Sequence, residues 1–382
     1  MLANRPPLGW NSWNTFGENI NEQLIMETVD IMVKEGYRDA GYEYVVIDDC
    51  WALRERDENG RIVPDPEKFP HGMKYLADYI HSKGMKFGMY SCAGVLTCAG
   101  YPSSYGHEYV DAATFAEWEI DYLKYDFCHF PQNGDARNAY LTMSMALRSS
   151  GRDILFAACN WGRFEPWKWM RSIGVHMYRS TGDIFDNFPS FRDILLKQEN
   201  NFSMSAPGCY NDIDMLIVGM YGQGNVGLKK GCTDEEYKLH FALWAMYGAP
   251  LMIGSDLRKT NDFSKELMLN KELLRINQDE ECRPPVILNF VSEDQPNEQK
   301  TIRKLFKILS GNEYVLMVVN FSDEEKNITS YFTEMGIPYS SDMGLDLVDV
   351  FTGEKKGIIR DFITTTVKAH SCVMLKGKLV HV

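Results

Sequence analysis

Asp121-Tyr122-Leu123-Lys124-Tyr125-Asp126-Phe127-Cys128 is a short apolar and aromatic run with charges set into it. Residues two apart on a strand share a face, so Lys124 and Asp126 point the same way. Two opposite charges on one face of an apolar strand avoid lipid and packed core, because each needs a partner there. Two readings stand at this point: a structural ion pair at a strand end, or the wall of a polar site.

Outward from this stretch, short apolar runs alternate with helical patterns from the N-terminus to about residue 280. The predicted strands are Leu8–Trp13, Tyr44–Asp48, Lys86–Tyr90, the 121–128 run, Ile154–Cys159, His176–Thr181, Gly208–Gly219 and Pro250–Gly254. Between them, apolar residues at helical spacing predict helices over Glu22–Gly36, Met73–Lys83, Ala113–Ile120, Ala136–Ser149, Pro166–Ser172, Ser190–Glu199, Asp234–Met246 and Ser264–Asn277. Alternation of this kind means a parallel sheet, and eight units fit a closed (β/α)8 TIM barrel, with an open doubly wound sheet as runner-up.

After Cys282-Arg-Pro-Pro285 the helical period stops. Runs rich in Val, Ile, Phe and Thr follow, at Thr301–Leu309, Tyr314–Phe321, Leu345–Phe351, Phe362–Val367 and Ser371–Leu375. They predict a C-terminal antiparallel β-sandwich domain, so the domains are read as 1–281 and 282–382. The sandwich is expected to brace the barrel rather than to bind glycan.

A chain of 382 residues with 45% hydrophobic and 24% charged residues has ample core for one large and one small domain. A net charge of −13 argues against nucleic acid and against anionic membranes as partners. Met1-Leu-Ala-Asn-Arg-Pro-Pro7 leads straight into patterned sequence, and the nine cysteines lack metal-type spacing. These features give the expectation of a cytoplasmic protein; homo-oligomer formation stays open. Gly222-Gln-Gly-Asn-Val-Gly227 spells a dinucleotide fingerprint but does not open a helix after a strand, and the histidines form no HExxH. No cofactor and no metal are expected.

In a parallel barrel, functional residues gather at the C-terminal ends of the strands. Here those ends carry Trp10 and Trp13, Asp48-Asp49, Tyr90, Lys124 and Asp126, Asn160-Trp161, Arg179 to Asp183, and Asp212 with Asp214. Carboxylates, one Lys, one Arg and several aromatics make a sugar site, since aromatic faces cover C–H surfaces and carboxylates accept from hydroxyls. Each residue also has a plainer use. Asp48 and Asp49 suit a loop cap, Trp10 and Trp13 suit the core, and Asp212 and Asp214 suit backbone donors at the rim, which is the reading favoured for that last pair.

The motifs Gly9-Trp-Asn-Ser-Trp13, Asp48-Asp-Cys-Trp51, Thr97-Cys-Ala-Gly-Tyr-Pro-Ser103, Leu123-Lys-Tyr-Asp126, Cys159-Asn-Trp-Gly162, Arg179-Ser-Thr-Gly-Asp183 and Asn211-Asp-Ile-Asp-Met215 resemble, in that order, those of the family 27 glycoside hydrolases. These are the α-galactosidases and α-N-acetylgalactosaminidases. The resemblance covers residues 8–280 and extends to the β-sandwich tail. It implies Asp126 as nucleophile and Asp183 as general acid/base. It also implies Asp48 and Asp49 on the 4- and 6-hydroxyls, Lys124 and Arg179 on the 3/4- and 2-hydroxyl regions, Trp13 and Tyr90 as walls, Asn160 near the 2-position, and Trp161 among the substrate-binding residues. The reaction implied is double displacement with net retention, in which one carboxyl attacks and the other protonates the leaving oxygen. Lys124 and Arg179 are expected to favour an ionised Asp126.

The resemblance further pairs Cys98 with Cys128 in a disulfide flanking the nucleophile, which a reducing compartment argues against. Tyr210 and Ile213 stand where the family commonly has Trp and Pro. Asn160 and Arg163 fill the space that smaller residues leave open in N-acetylgalactosaminidases, and the intact Asp48-Asp49 pair disfavours a β-L-arabinopyranosidase. The expected substrate is therefore an α-galactoside, either a melibiose- or raffinose-type sugar or a glycoconjugate. Transfer of galactose to a sugar acceptor is the alternative on the same site, and a non-catalytic sugar-binding barrel is the least favoured.

Overall fold

A computed structural model describes residues 2–288 and 301–382. The first eight strands are β1 Leu8–Asn11, β2 Tyr44–Val46, β3 Lys86–Cys92, β4 Tyr122–Asp126, β5 Leu155–Cys159, β6 Met177–Arg179, β7 Tyr210–Asp212 and β8 Leu251–Ile253. They form one sheet in the order β7-β6-β5-β4-β3-β2-β1-β8, and each neighbouring pair is parallel. A parallel bridge between Leu216 and Ile253 joins the segment after β7 to β8, so the sheet closes on itself as a barrel.

The helices that return the chain are α1 Trp13–Phe16, α2 Glu22–Lys34, α3 Gly72–Ser82, α4 Glu108–Glu117, α5 Ala136–Ser149, α6 Phe188–Gln198, α7 Asp234–Tyr247, α8 Asp262–Met268 and α9 Lys271–Asn277. Side-chain caps start several of them: Asn21 accepts from the Leu24 N–H, Asp135 from Asn138, and Thr233 and Glu236 close a capping box. Three helices differ from the sequence expectation. α4 begins and ends earlier than Ala113–Ile120, stopping where Glu119 turns to φ +60°. Pro166–Ser172 winds as two short 3₁₀ turns, and the last helical stretch breaks at Asn270, which caps α9.

Strand β4 shows how the barrel positions charge. Its residues alternate, so Tyr122, Lys124 and Asp126 share one face. Tyr122 packs into the interior cluster of Tyr44, Val46, Leu155, Ala157, Met177, Met215 and Met252. Two and four residues further along, the same face has reached the C-terminal end of the barrel, where Lys124 and Asp126 stand above that apolar layer. Asp121 opens the stretch and serves the opposite end. Its carboxylate takes Arg152 at 2.6 Å, His81 at 2.7 Å and the Phe87 N–H at 2.9 Å, tying the start of β4 to its neighbours.

The remaining strands are β9 Val286–Ile287, β10 Ile302–Leu309, β11 Glu313–Asn320, β12 Lys326–Tyr331, β13 Met343–Asp349, β14 Lys355–Ile359, β15 Phe362–Val367 and β16 Ser371–His381. Six form an antiparallel sheet in the order β14-β13-β16-β11-β10-β9, and β12 pairs with β15 in a second sheet. Apolar clusters around Phe332, Leu345 and Leu375 and around Leu316, Val318 and Val367 make the core of this β-sandwich.

The residues fall into two compact units, 1–232 with 249–265, and 233–248 with 266–382. Helices α7 and α9 thus group with the C-terminal strands. One contact inside the second unit joins the two helices to a strand. Lys307, buried on β10, donates to the carbonyls of Met246 at 3.0 Å and Ile276 at 3.1 Å, and so closes the C-terminal ends of both helices. Among the described residues no helix is long and apolar enough to cross a membrane.

Candidate active site

A cavity of about 400 Å³ opens at the C-terminal ends of the strands. Its lining includes Trp13, Asp48, Asp49, Tyr90, Cys98, Lys124, Asp126, Cys128, Trp161, Arg179 and Asp183, so eleven of the twelve residues that the resemblance places at or beside the site meet in one place.

Asp48 follows β2 and is buried. Its Oδ2 accepts from Lys124 Nζ at 2.7 Å and from Asn11 Nδ2 at 2.8 Å. Asn11 also receives the Trp13 N–H at 2.9 Å, so one amide sets both the carboxylate and the aromatic wall. Asp49 accepts the N–H groups of Cys50 at 2.7 Å and Ala99 at 2.9 Å. Burial raises its pKa, against those two hydrogen bonds. Burial alone would lower the pKa of Lys124, but Asp48 and other groups facing the cavity raise it above the ordinary lysine value.

Asp126 ends β4 and is buried. Oδ1 accepts the Phe127 N–H at 2.8 Å, and Oδ2 faces the Tyr90 hydroxyl at 3.3 Å. Burial pushes its pKa up to about 6, while Lys124 and the Phe127 N–H pull the other way. Lys124 and Arg179 both favour the ionised form, in the direction expected from sequence, while burial exceeds their pull.

Arg179 at the end of β6 is buried and sits between two carboxylates. Nη2 lies 2.7 Å from Asp183 Oδ1 and 2.8 Å from Asp214 Oδ2. Asp183 is at the rim, its side chain 65% exposed, whereas Asp214 is 4% exposed and holds φ +81°. Asp214 also accepts the N–H groups of Ile184 at 2.7 Å and Met215 at 2.8 Å. This places Asp214 in the cavity wall, beyond the backbone-satisfying use favoured from the sequence. Asp212 accepts the Asp214 N–H at 2.9 Å, as that reading has it.

Asn160 is the one of these twelve that does not line the cavity. It is buried and gives its amide to the Arg163 carbonyl, while its neighbours Cys159 and Trp161 face the site. The loop can hold this shape because position 162 is glycine at φ +81°, where a Cβ would stand 2.2 Å from the Ser180 carbonyl oxygen. Cys98 and Cys128 form a disulfide with Cα atoms 5.0 Å apart, and both line the cavity. Trp10 belongs to the core, its indole N–H on the Ser255 carbonyl at 2.9 Å.

Sequence reasoning missed Asn14, Phe185, Met215, Asn225 and Val226 in the lining. The last two come from the glycine-rich stretch set aside as a false fingerprint. Its backbone lies on α1, with Asn225 N–H on Thr15 O at 3.1 Å and Val226 N–H on Asn14 O at 3.0 Å. A Cβ at Gly224 would be 2.7 Å from the Thr15 Cα, so the glycine serves this close approach.

A buried carboxylate and a rim carboxylate face one cavity with a lysine, an arginine and aromatic walls, which is equipment for cleaving an acetal of a neutral sugar. Comparison with known proteins agrees. Residues 5–279 match the family described as Alpha galactosidase A, and residues 301–376 match the Alpha galactosidase C-terminal beta sandwich domain. The α-galactosidase A of Cellvibrio japonicus is 47% identical over 290 residues, covering 73% of this chain and 69% of that protein. The crystal structure of α-galactosidase I from Mortierella vinacea superposes with a TM-score of 0.90 at 34% identity, over 98% of this chain and 97% of that one. The structure of the Saccharomyces cerevisiae α-galactosidase with raffinose gives 0.88 at 28% identity, over 99% and 98%.

Proposed function

Because the chain belongs to the α-galactosidases of glycoside hydrolase family 27, we propose that Asp126 is its nucleophile and Asp183 its general acid/base. The protein is a glycoside hydrolase with α-galactosidase function, and its substrate is a galactoside. What supports the assignment of roles is the placement of the two aspartates, one buried at a strand end and one on the rim of the same cavity.

In the first step an oxygen of Asp126 bonds to the anomeric carbon as the bond from that carbon to the leaving oxygen breaks. Asp183 gives that oxygen its proton. In the second step water attacks the galactosyl–enzyme, its proton passes to Asp183, and the bond to Asp126 breaks, so both aspartates return to their starting states. Asp126 must be ionised to attack. Asp183 stands where the aglycone leaves, open to solvent until a substrate covers it. Asp48 and Asp49 accept from hydroxyls on the far side of the sugar, Lys124 and Arg179 donate to hydroxyls nearer the anomeric carbon, and Trp13, Tyr90 and Trp161 cover C–H surfaces. A terminal α-galactosyl unit of a raffinose- or melibiose-type sugar is the substrate we assign, and net retention is the outcome.

Hydrolysis of p-nitrophenyl α-D-galactoside, beside the α-N-acetylgalactosaminide and the β-L-arabinopyranoside, tests the reading. The galactoside should be cleaved fastest, with α-galactose as the first product, and Asp126→Ala should abolish turnover. Near wild-type rates in that variant would sink the assignment of Asp126.

A further inference from the structure

The buried wall of the cavity holds a carboxylate for which the two-aspartate reaction has no direct use. Asp214 meets Arg179 at 2.8 Å, the Ile184 N–H at 2.7 Å and the Met215 N–H at 2.8 Å, among its partners. Two of these bear directly on Asp183. Ile184 is its chain neighbour, so the hydrogen bond to Asp214 pins the backbone that carries the rim carboxyl. Arg179 is its ion-pair partner, through the same Nη2 that meets Asp214.

A guanidinium stays charged under all working conditions. An unneutralised buried cation favours an anionic neighbour over a neutral one. A second carboxylate on the same nitrogen neutralises the cation, and being buried it keeps that charge close and poorly screened. The other ionisable groups facing the pair are Asp212 beside Asp214, Lys124 and Asp126 on β4, and the Cys159 thiol on β5. Burial raises the pKa of Asp214, and Arg179 with the two N–H groups opposes that rise. Its backbone is left-handed, φ +81° in a residue other than glycine, which is uncommon.

We propose that Asp214 is a positioning residue for the proton donor: it neutralises Arg179 and fixes Ile184, so that Asp183 can deliver its proton to the leaving oxygen. This rests on the assignment of Asp183 as the acid/base.

The test is the pH profile of kcat/KM on two substrates, p-nitrophenyl α-galactoside, whose leaving group departs unaided, and melibiose, whose sugar alkoxide needs the proton. Asp214→Asn keeps an acceptor for Ile184 and removes the charge. The alkaline limb should move towards acid by about one pH unit, and melibiose cleavage should fall roughly tenfold or more beyond any loss on the aryl substrate. Asp214→Glu keeps the charge and should leave the limb near its wild-type position, even if its rates are lower. Equal losses on both substrates with an unmoved limb in Asp214→Asn would overturn the proposal, as would a limb displaced equally by the Glu variant. Asp183→Asn separates the underlying assignment, since an acid must cost melibiose far more than the aryl galactoside. If that variant loses both alike, the role of Asp183 fails on its own account, whatever Asp214 does.

Discussion

The hydroxyl of Tyr90 faces Asp126 Oδ2 across 3.3 Å, while Asp126 Oδ1 is anchored by the Phe127 N–H at 2.8 Å. The first distance is long for an O–H···O contact and the second is ordinary for N–H···O. One oxygen of the carboxylate is thus fixed to the backbone and the other is only loosely engaged. On the proposed assignment, Oδ2 is the oxygen that bonds to carbon, with the Tyr90 hydroxyl beside it.

The acid limb of activity follows from the burial of this group. As the proposed nucleophile Asp126 would attack as a carboxylate, and burial pushes its pKa up to about 6. As pH falls through that value the nucleophile is protonated and kcat/KM should drop tenfold per unit. A profile of kcat/KM on p-nitrophenyl α-galactoside between pH 4 and 8 checks this. A flat response down to pH 4.5 would contradict it.

Lys124 should move that limb. Its ammonium helps keep Asp126 ionised, so Lys124→Met should shift the acid limb to higher pH. The same change leaves Asp48 without its 2.7 Å partner inside the protein, which should cost about 3–5 kcal/mol of stability. The measurements are the pH profile and urea unfolding. An unmoved limb with unchanged stability would mean that the pair is not coupled to the nucleophile.

Asp126 should also weaken the fold that holds it. Its folded pKa lies above the ordinary unfolded value, so protonation favours the native state. That stabilisation is complete below about pH 4 and is lost as pH rises through about 6. At pH 7, Asp126→Asn should therefore be more stable than the wild type, by roughly 1–3 kcal/mol, with the gap closing towards pH 4. Thermal unfolding at the two pH values decides, and equal midpoints at pH 7 would count against it.

The Cys98–Cys128 disulfide closes a loop with a sequence separation of 30. A loop of that length predicts that Cys98→Ala with Cys128→Ala loses about 3.6 kcal/mol. Because both cysteines line the cavity beside Asp126, KM should rise as well. Unfolding and kinetics with and without dithiothreitol measure both effects. Identical curves for the reduced and oxidised protein would remove the bridge from the account.

Much of this was legible in the chain itself, and the reasons are physical. Eight apolar runs at helical intervals correspond to the eight barrel strands, because strands buried on both faces leave a continuous apolar record. The inward face of β4 was readable as Lys124 with Asp126, because alternation has period two. Strands β12 and β14 went unread: Lys326-Asn-Ile-Thr-Ser-Tyr331 is mostly polar and half-buried, Lys355-Lys-Gly-Ile-Ile359 is short and largely exposed, and neither shows a clean apolar run. Asp214 was undervalued because its worth lies in Arg179, 35 positions earlier and 2.8 Å away. Asn160 was overvalued for a related reason. Its place in a loop is visible in the sequence, but the turn that sends its amide to Arg163 and presents Trp161 instead depends on Gly162 meeting Ser180.

The lysine that closes two helices has a consequence for how such proteins can be recombined. Lys307 belongs to the strand-rich tail, yet the carbonyls it satisfies belong to helices that arise earlier in the chain. A chimera spliced at residue 282, where the sequence pattern changes, would keep α7 and α9 from one parent and take the capping ammonium from another. Only parents that share the lysine, or a cross-over placed ahead of Thr233 that carries the helices along with the tail, would keep the three together. The unit of inheritance for this tail is larger than the domain that its strands outline.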